Sequence, residues 1–180
     1  MDTINKALKI TMEAHNGQTD KGGHSYIFHP IRVALNCNSK AEKVAALLHD
    51  VVEDTPITLE DLKAEGFDDS IIEAVKCLTK TRGEDYQDFI KRVAKNPIAR
   101  EVKIQDLQDN MDVSRLVGKP HWKLDVYQKA LHYLYASIRF SDVLSGALIP
   151  ATKEEKAKYE RILAEHYKML TDAHKKSIPT

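Results

Sequence analysis

The sequence predicts an all-α fold, a single domain of eight to ten helices over residues 1–180. No stretch alternates apolar and polar positions at period two with β-branched residues over strand length. Apolar residues instead recur every three or four positions, and helix-capping signals stand before several of these runs. A chain of 180 residues suits one domain with a sizeable core. With 7 glycines and 6 prolines it offers no linker, low-complexity segment or internal repeat.

Ile4, Ala7, Leu8, Ile10, Met12 and Ala14 define a first amphipathic helix ending near His15. Residues 16–26, NGQTDKGGHSY, carry three glycines and no apolar residue before Tyr26, and read as a loop long enough to line a ligand site. Pro30 suits the first turn of a helix over 30–38, with His29 at its mouth. Ser39 with Glu42 is a capping box for the central helix, and Thr58 with Asp61 is a second box for a short helix stopping near Gly66. Residues 69–80 place Ile71, Ile72, Val75 and Leu78 inward, and Lys80-Thr81-Arg82-Gly83 is a polar turn. Tyr86, Phe89, Ile90 and Val93 mark the next helix. Asn96-Pro97 caps another that runs towards Leu116, until Gly118-Lys119-Pro120 breaks it. A long helix over about 121–145 contains Trp122, read as a core anchor, and Thr152 with Glu155 opens a last helix reaching about His174.

Lys and Arg number 27, as do Asp and Glu, and this balance argues against a nucleic-acid-binding module. It leaves room for a local basic pocket that takes a small phosphorylated ligand. Cys37 and Cys77 lack CxxC spacing and read as buried free thiols of a reducing compartment. No segment approaches the ~18 apolar residues of a membrane span, and residues 1–10 have no signal-like apolar run. The expectation is a soluble, cytoplasmic protein without membrane or nucleic-acid partners, its oligomeric state open.

Residues 45–55, AALLHDVVEDT, carry the chemistry. Ala45, Ala46, Leu47, Leu48, Val51 and Val52 make the helix apolar nearly all round, so it belongs inside the domain. His49 and Glu53 share one face, and Asp50 and Asp54 the next, about 100° further round. Burying an imidazole and three carboxylates unpartnered costs several kcal/mol per group, and a metal ion is the usual remedy. The plainer alternative is a helix end whose acids are solvated at Pro56. Taken alone, His29 before proline reads as a cap or surface residue. Asp106, in the acid-interrupted stretch VKIQDLQDNMD, reads alone as a solvated acid. The His49-Asp50 pair inside an apolar helix joins them into a set of two imidazoles and two carboxylates, which suits Mn²⁺, Fe²⁺ or Zn²⁺.

The consecutive His49-Asp50 with distant His29 and Asp106 resembles the HD-domain metal-dependent phosphohydrolases. A longer match is more specific. Gly17, Gln18, Lys21, Gly23, Tyr26, His29 and Pro30 are followed by ALLHDVVEDT and by Leu78-Thr79-Lys80. Val102, Lys103, Asp106, Asn110 and Met111 then complete the order seen in the RelA/SpoT hydrolase domain and its short metazoan SpoT homologue-type relatives. The resemblance covers about residues 1–135, leaving the helices of 121–175 largely beyond it. It implies that His29, His49, Asp50 and Asp106 bind Mn²⁺ and that Glu53 and Asp54 activate or orient the attacking water. It implies further that Asn110, Lys21 and Tyr26 serve the substrate. Lys123 and Tyr127 align loosely with substrate-side positions. Lys21 reads equally as a solvated loop lysine, and Tyr127 as core or rim. The reaction implied is removal of the 3′-pyrophosphate of a guanosine tetraphosphate-type alarmone.

Three departures keep the substrate open. Asp20 stands where the family usually has arginine beside the lysine. Gln105-Asp106-Leu107-Gln108-Asp109-Asn110 replaces Ala-Asp-Arg-Leu-His-Asn. His24 and Ser25 stand for Glu-Pro. An aspartate cannot replace a guanidinium plane beside a base. The alternatives are an adenine alarmone, an NADPH-type phosphate, or a non-catalytic nucleotide-binding regulator. His15, His121, His132, His166 and His174 lack partner spacing and read as structural or surface residues.

Overall fold

The computed structural model describes residues 2–112 and 123–144, with side chains as far as Ile138. Two compact units divide the chain, Met1–Leu134 and Tyr135–Thr180, and every candidate site residue lies in the first. Nine helices occur among the described residues, and no strand: α1 Thr3–Ala14, α2 Phe28–Asn36, α3 Lys40–Leu48, α4 Val51–Asp54, α5 Leu59–Ala64, α6 Asp69–Leu78, α7 Tyr86–Ala94, α8 Pro97–Met111 and α9 Leu124–Leu144. Helix α8 ends at Met111, with Asp112 in extended backbone, short of the expected run towards Leu116. The break at 118–120, Trp122 and the helix over 152–174 lie outside the described residues.

Local signals set most boundaries. Ser39 and Glu42 form the reciprocal capping box of α3, and Thr58 and Asp61 that of α5. The Asn96 side chain accepts from the Ala99 amide with Pro97 opening α8. Helix α3 packs against α1, α2, α6 and α8. Its Val44, Ala45, Ala46, Leu47 and Leu48 are all buried, as an apolar surface on every side requires. Among the described residues no helix is long and apolar enough to cross a membrane. Both thiols are free, with Cys37 buried and Cys77 only half-buried.

The central helix departs from expectation. It stops at Leu48 and restarts as α4 at Val51, so His49 and Asp50 form the joint. Two carbonyls that would support the next turn are taken by side chains. His49 Nδ1 bonds the Ala46 carbonyl at 2.7 Å. The buried Thr11 hydroxyl shares its proton between the carbonyls of Ala7 and Leu47, at 2.8 and 2.7 Å. We expect Thr11→Val to lower stability by about 1–3 kcal/mol, because it leaves the Leu47 carbonyl buried with one donor fewer. A urea unfolding midpoint measures this, and an unchanged midpoint contradicts it.

The glycine-rich loop closes on itself. The Asp20 carboxylate accepts from the Gly22 and His24 amides, both at 2.9 Å. The Asp20 amide bonds the His24 carbonyl, and the Tyr26 amide bonds that of Gln18. Gly17 and Gly23 adopt φ near +80°, which a side chain would strain. The closed loop returns Tyr26 to the end of α1, where its ring lies 4.9 Å from that of His15.

Candidate metal centre

The four side chains grouped from sequence converge. His29 comes from the first turn of α2, His49 and Asp50 from the α3–α4 joint, and Asp106 from α8. His29, His49 and Asp50 each present one ligand atom, and these lie within 4.8 Å of one another. His49 Nε2 is 2.9 Å from Asp50 Oδ2, and His29 Nε2 is 3.6 Å from the same oxygen. Asp106 Oδ1 lies 3.2 Å from His29 Nε2 and 3.8 Å from His49 Nε2. His29, His49 and Asp106 are buried, and Asp50 nearly so.

Both imidazoles are oriented through Nδ1. That atom of His49 bonds the Ala46 carbonyl, and that of His29 bonds Asp109 Oδ2 at 2.6 Å. A neutral ring donating from Nδ1 presents a lone pair at Nε2. His49 Nε2 is buried yet makes no hydrogen bond, even beside two carboxylates. An orphaned buried nitrogen facing acid oxygens fits a divalent cation bound by N and O donors. The electrostatics agree. Burial pulls both imidazoles down, but the charges of Asp50 and Asp106 hold His49 well above its ordinary range. Bonds to Asp106 and Asp109 likewise raise His29. Burial pushes the acids up, yet the His49 charge holds Asp50 below the usual carboxylate range, and the Lys103 charge does the same for Asp106. The cluster as a whole favours added positive charge.

Around this centre the other expected residues fall in three groups. Glu53 and Asp54 sit on α4, exposed, with Glu53 Oε2 accepting from the Lys80 amide at 2.8 Å. Partial burial and the Asp50 charge raise both carboxyls, and the neighbouring His15, His49 and His29 pull Asp54 back down. Tyr26 donates its hydroxyl to Asp50, and Asn110 donates to Asp106 Oδ1 at 2.6 Å, so both engage metal-side acids. Burial and the nearby Lys123 charge lower the Lys21 ammonium. Burial and the Asp106 charge raise the Tyr127 phenol, whose ring lies 6.5 Å from that of Tyr86.

Several residues join the site that sequence reasoning left aside. Lys103 pairs with Asp106 Oδ2 at 2.7 Å, one turn before it on α8. Asp109 is buried against His29. Its signal was present, because it lies three positions after Asp106 on the same face. His15 is buried within a run of rings that continues through Tyr26 and His29 to His49. The Tyr86 hydroxyl is buried without a hydrogen-bond partner. No spacing within the sequence announces His15, whose ring neighbour Tyr26 comes from the far end of the glycine-rich loop, or Tyr86, which lies near Tyr127 of α9.

The comparisons with known proteins point the same way. The profile of a family described as HD domain matches residues 7–108. The guanosine-3′,5′-bis(diphosphate) 3′-pyrophosphohydrolase of Aquifex aeolicus is 33% identical over 122 residues, covering 61% of this chain and 17% of that protein. The bifunctional (p)ppGpp synthase/hydrolase SpoT of Escherichia coli K12 is 36% identical over 97 residues, covering 52% of this chain and 14% of its own length. The chain therefore spans less than a fifth of either relative. A solved metazoan ortholog of SpoT, described as hydrolysing ppGpp, superposes with a TM-score of 0.63. That match covers 92% of this chain and 96% of the other at 22% identity, so it shows a shared fold.

Proposed function

The chain belongs to the HD-domain family, and from that premise we propose a metal-dependent phosphohydrolase that removes the 3′-pyrophosphate of a (p)ppGpp-like nucleotide. The observation that carries this reading is the orphaned Nε2 of His49, buried among His29, Asp50 and Asp106. Such a donor set suits Mn²⁺, with Fe²⁺ or Zn²⁺ as alternatives. A bound divalent ion would supply Lewis acidity at the phosphoryl oxygens and a water of lowered pKa. The chain's own residues do the rest. Glu53, steadied by the Lys80 amide, and Asp54 orient the water and take its proton. Lys103 and Asn110 hold Asp106 in place as a ligand. Lys21 and Lys123 face the substrate phosphates, and Tyr127 borders the nucleotide. Water attacks the phosphorus bonded to the 3′-oxygen, that P–O bond breaks, the 3′-oxygen leaves as the hydroxyl of GDP or GTP with the proton taken from the water, and pyrophosphate carries the water's oxygen. The test is pyrophosphate release from ppGpp by the metal-stripped chain before and after Mn²⁺ is restored. We expect turnover only after restoration, and none in either condition overturns the proposal.

A second reading keeps the chemistry and changes the base. It is favoured by Asp20, whose carboxylate is spent on the loop amides of Gly22 and His24 and offers no plane to a guanine. Adenine alarmones followed by pyrophosphate release and NADPH followed by phosphate release decide it, and faster turnover of either than of ppGpp selects this reading. Micromolar nucleotide binding without turnover selects a regulatory domain instead.

A further inference from the structure

His29 and Arg32 lie three apart on α2, and Asp106 and Asp109 three apart on α8, so one face of each helix meets the other. The His29 ring is held between both acids, with Nε2 towards Asp106 and Nδ1 on Asp109. The Asp109 side chain is only 6% exposed. A carboxylate so buried needs a cationic partner, and Arg32 supplies one with two hydrogen bonds. Its Nε reaches Oδ1 at 2.6 Å and its Nη2 reaches Oδ2 at 3.2 Å. Asp109 is also where this chain departs from the histidine usual in the motif it resembles.

We propose that Arg32 and Asp109 act as one positioning unit, which fixes the His29 ring with Nε2 towards the centre and thereby sets its affinity for metal. The proposal rests on the metal-site reading above. Asp109 takes the Nδ1 proton and so fixes which nitrogen faces Asp50 and Asp106. Arg32 grips both carboxylate oxygens, which stops Asp109 rotating away from the ring. Neither side chain needs to touch metal or substrate. A plain ion pair between α2 and α8 is the competing explanation, and it makes different predictions.

The experiment titrates Mn²⁺ calorimetrically into the metal-stripped chain and records melting in EDTA for the same samples. Asp109→Asn is expected to weaken Mn²⁺ binding about 10- to 100-fold. Arg32→Leu is expected to weaken it about tenfold, on the same grounds but one bond further out. The double variant should bind no more weakly than Asp109→Asn alone, because Arg32 acts through Asp109. Arg32→Lys keeps the charge but loses the fork, should fold, and should fall between wild type and Arg32→Leu. Lowered melting with wild-type Mn²⁺ affinity in these variants makes the pair a structural tie and overturns the proposal, as do additive losses in the double variant. Wild-type chain that binds no Mn²⁺ overturns the metal-site reading itself.

Discussion

Asp50→Asn is expected to leave the chain folded, empty of Mn²⁺ after dialysis, and slower on its nucleotide substrate by at least about a thousandfold. The substitution keeps the size of the side chain and the oxygen that accepts from Tyr26. It removes the negative charge that His29 Nε2 and His49 Nε2 face at 3.6 and 2.9 Å. A neutral amide is a poor ligand for a hard divalent cation beside two imidazoles. A metal contributes several kcal/mol to phosphoryl transfer, and each 1.4 kcal/mol is tenfold in rate. Metal content by mass spectrometry and pyrophosphate release are the two readouts. More than about a tenth of wild-type turnover in Asp50→Asn contradicts the assignment. Asp106→Ala makes the instructive contrast. It removes a ligand candidate, but it also strands the Lys103 ammonium that pairs with Asp106 at 2.7 Å. Losing one partner of a buried pair costs about 3–5 kcal/mol, so this variant should lose stability as well as metal. Asp50 is therefore the cleaner test of chemistry.

The parts legible in the sequence are those whose cause is local. The capping boxes at Ser39–Glu42 and Thr58–Asp61 and the Asn96-Pro97 start need only neighbours a few residues away. The apolar surround of His49 and Asp50 is also local, and a buried imidazole next to a buried carboxylate points to a site wherever its partners come from. The break between α3 and α4 was not legible, because one of its causes, the Thr11 hydroxyl, reaches Leu47 from 36 positions away. The burial of His15 is illegible for the same reason, since it depends on the loop returning Tyr26 to it. Asp109 is different. It interrupts the same apolar pattern as Asp106, and the spacing that put Asp106 inside puts Asp109 inside too. As a departure from a family motif it reads as a loss. Its geometry against His29 and Arg32 makes it a substitution with a partner. Asp20 shows the reverse, a departure whose side chain serves its own loop.

Glu53→Gln separates proton transfer from metal binding. Expected is a fall in kcat of about 10²- to 10⁴-fold, the range for removing a general base, with Mn²⁺ affinity unchanged. Glutamine keeps an oxygen for the Lys80 amide that meets Glu53 at 2.8 Å, so the α4 end should stay in place. What it loses is the ability to accept a proton. Partial burial and the Asp50 charge raise the wild-type carboxyl. Asp54 is raised by the same two influences, and Asp54→Asn should act in the same direction. If the two acids serve one water, Glu53→Gln/Asp54→Asn will cost little more than the worse single change, because groups that act as a unit are not additive. Loss of Mn²⁺ in parallel with turnover would instead make Glu53 a ligand. An unchanged kcat would remove it from the chemistry altogether. The joint at His49-Asp50 gives this division a physical basis. It points one imidazole and one carboxylate into the buried cluster, and the next turn then carries two acids out to the surface.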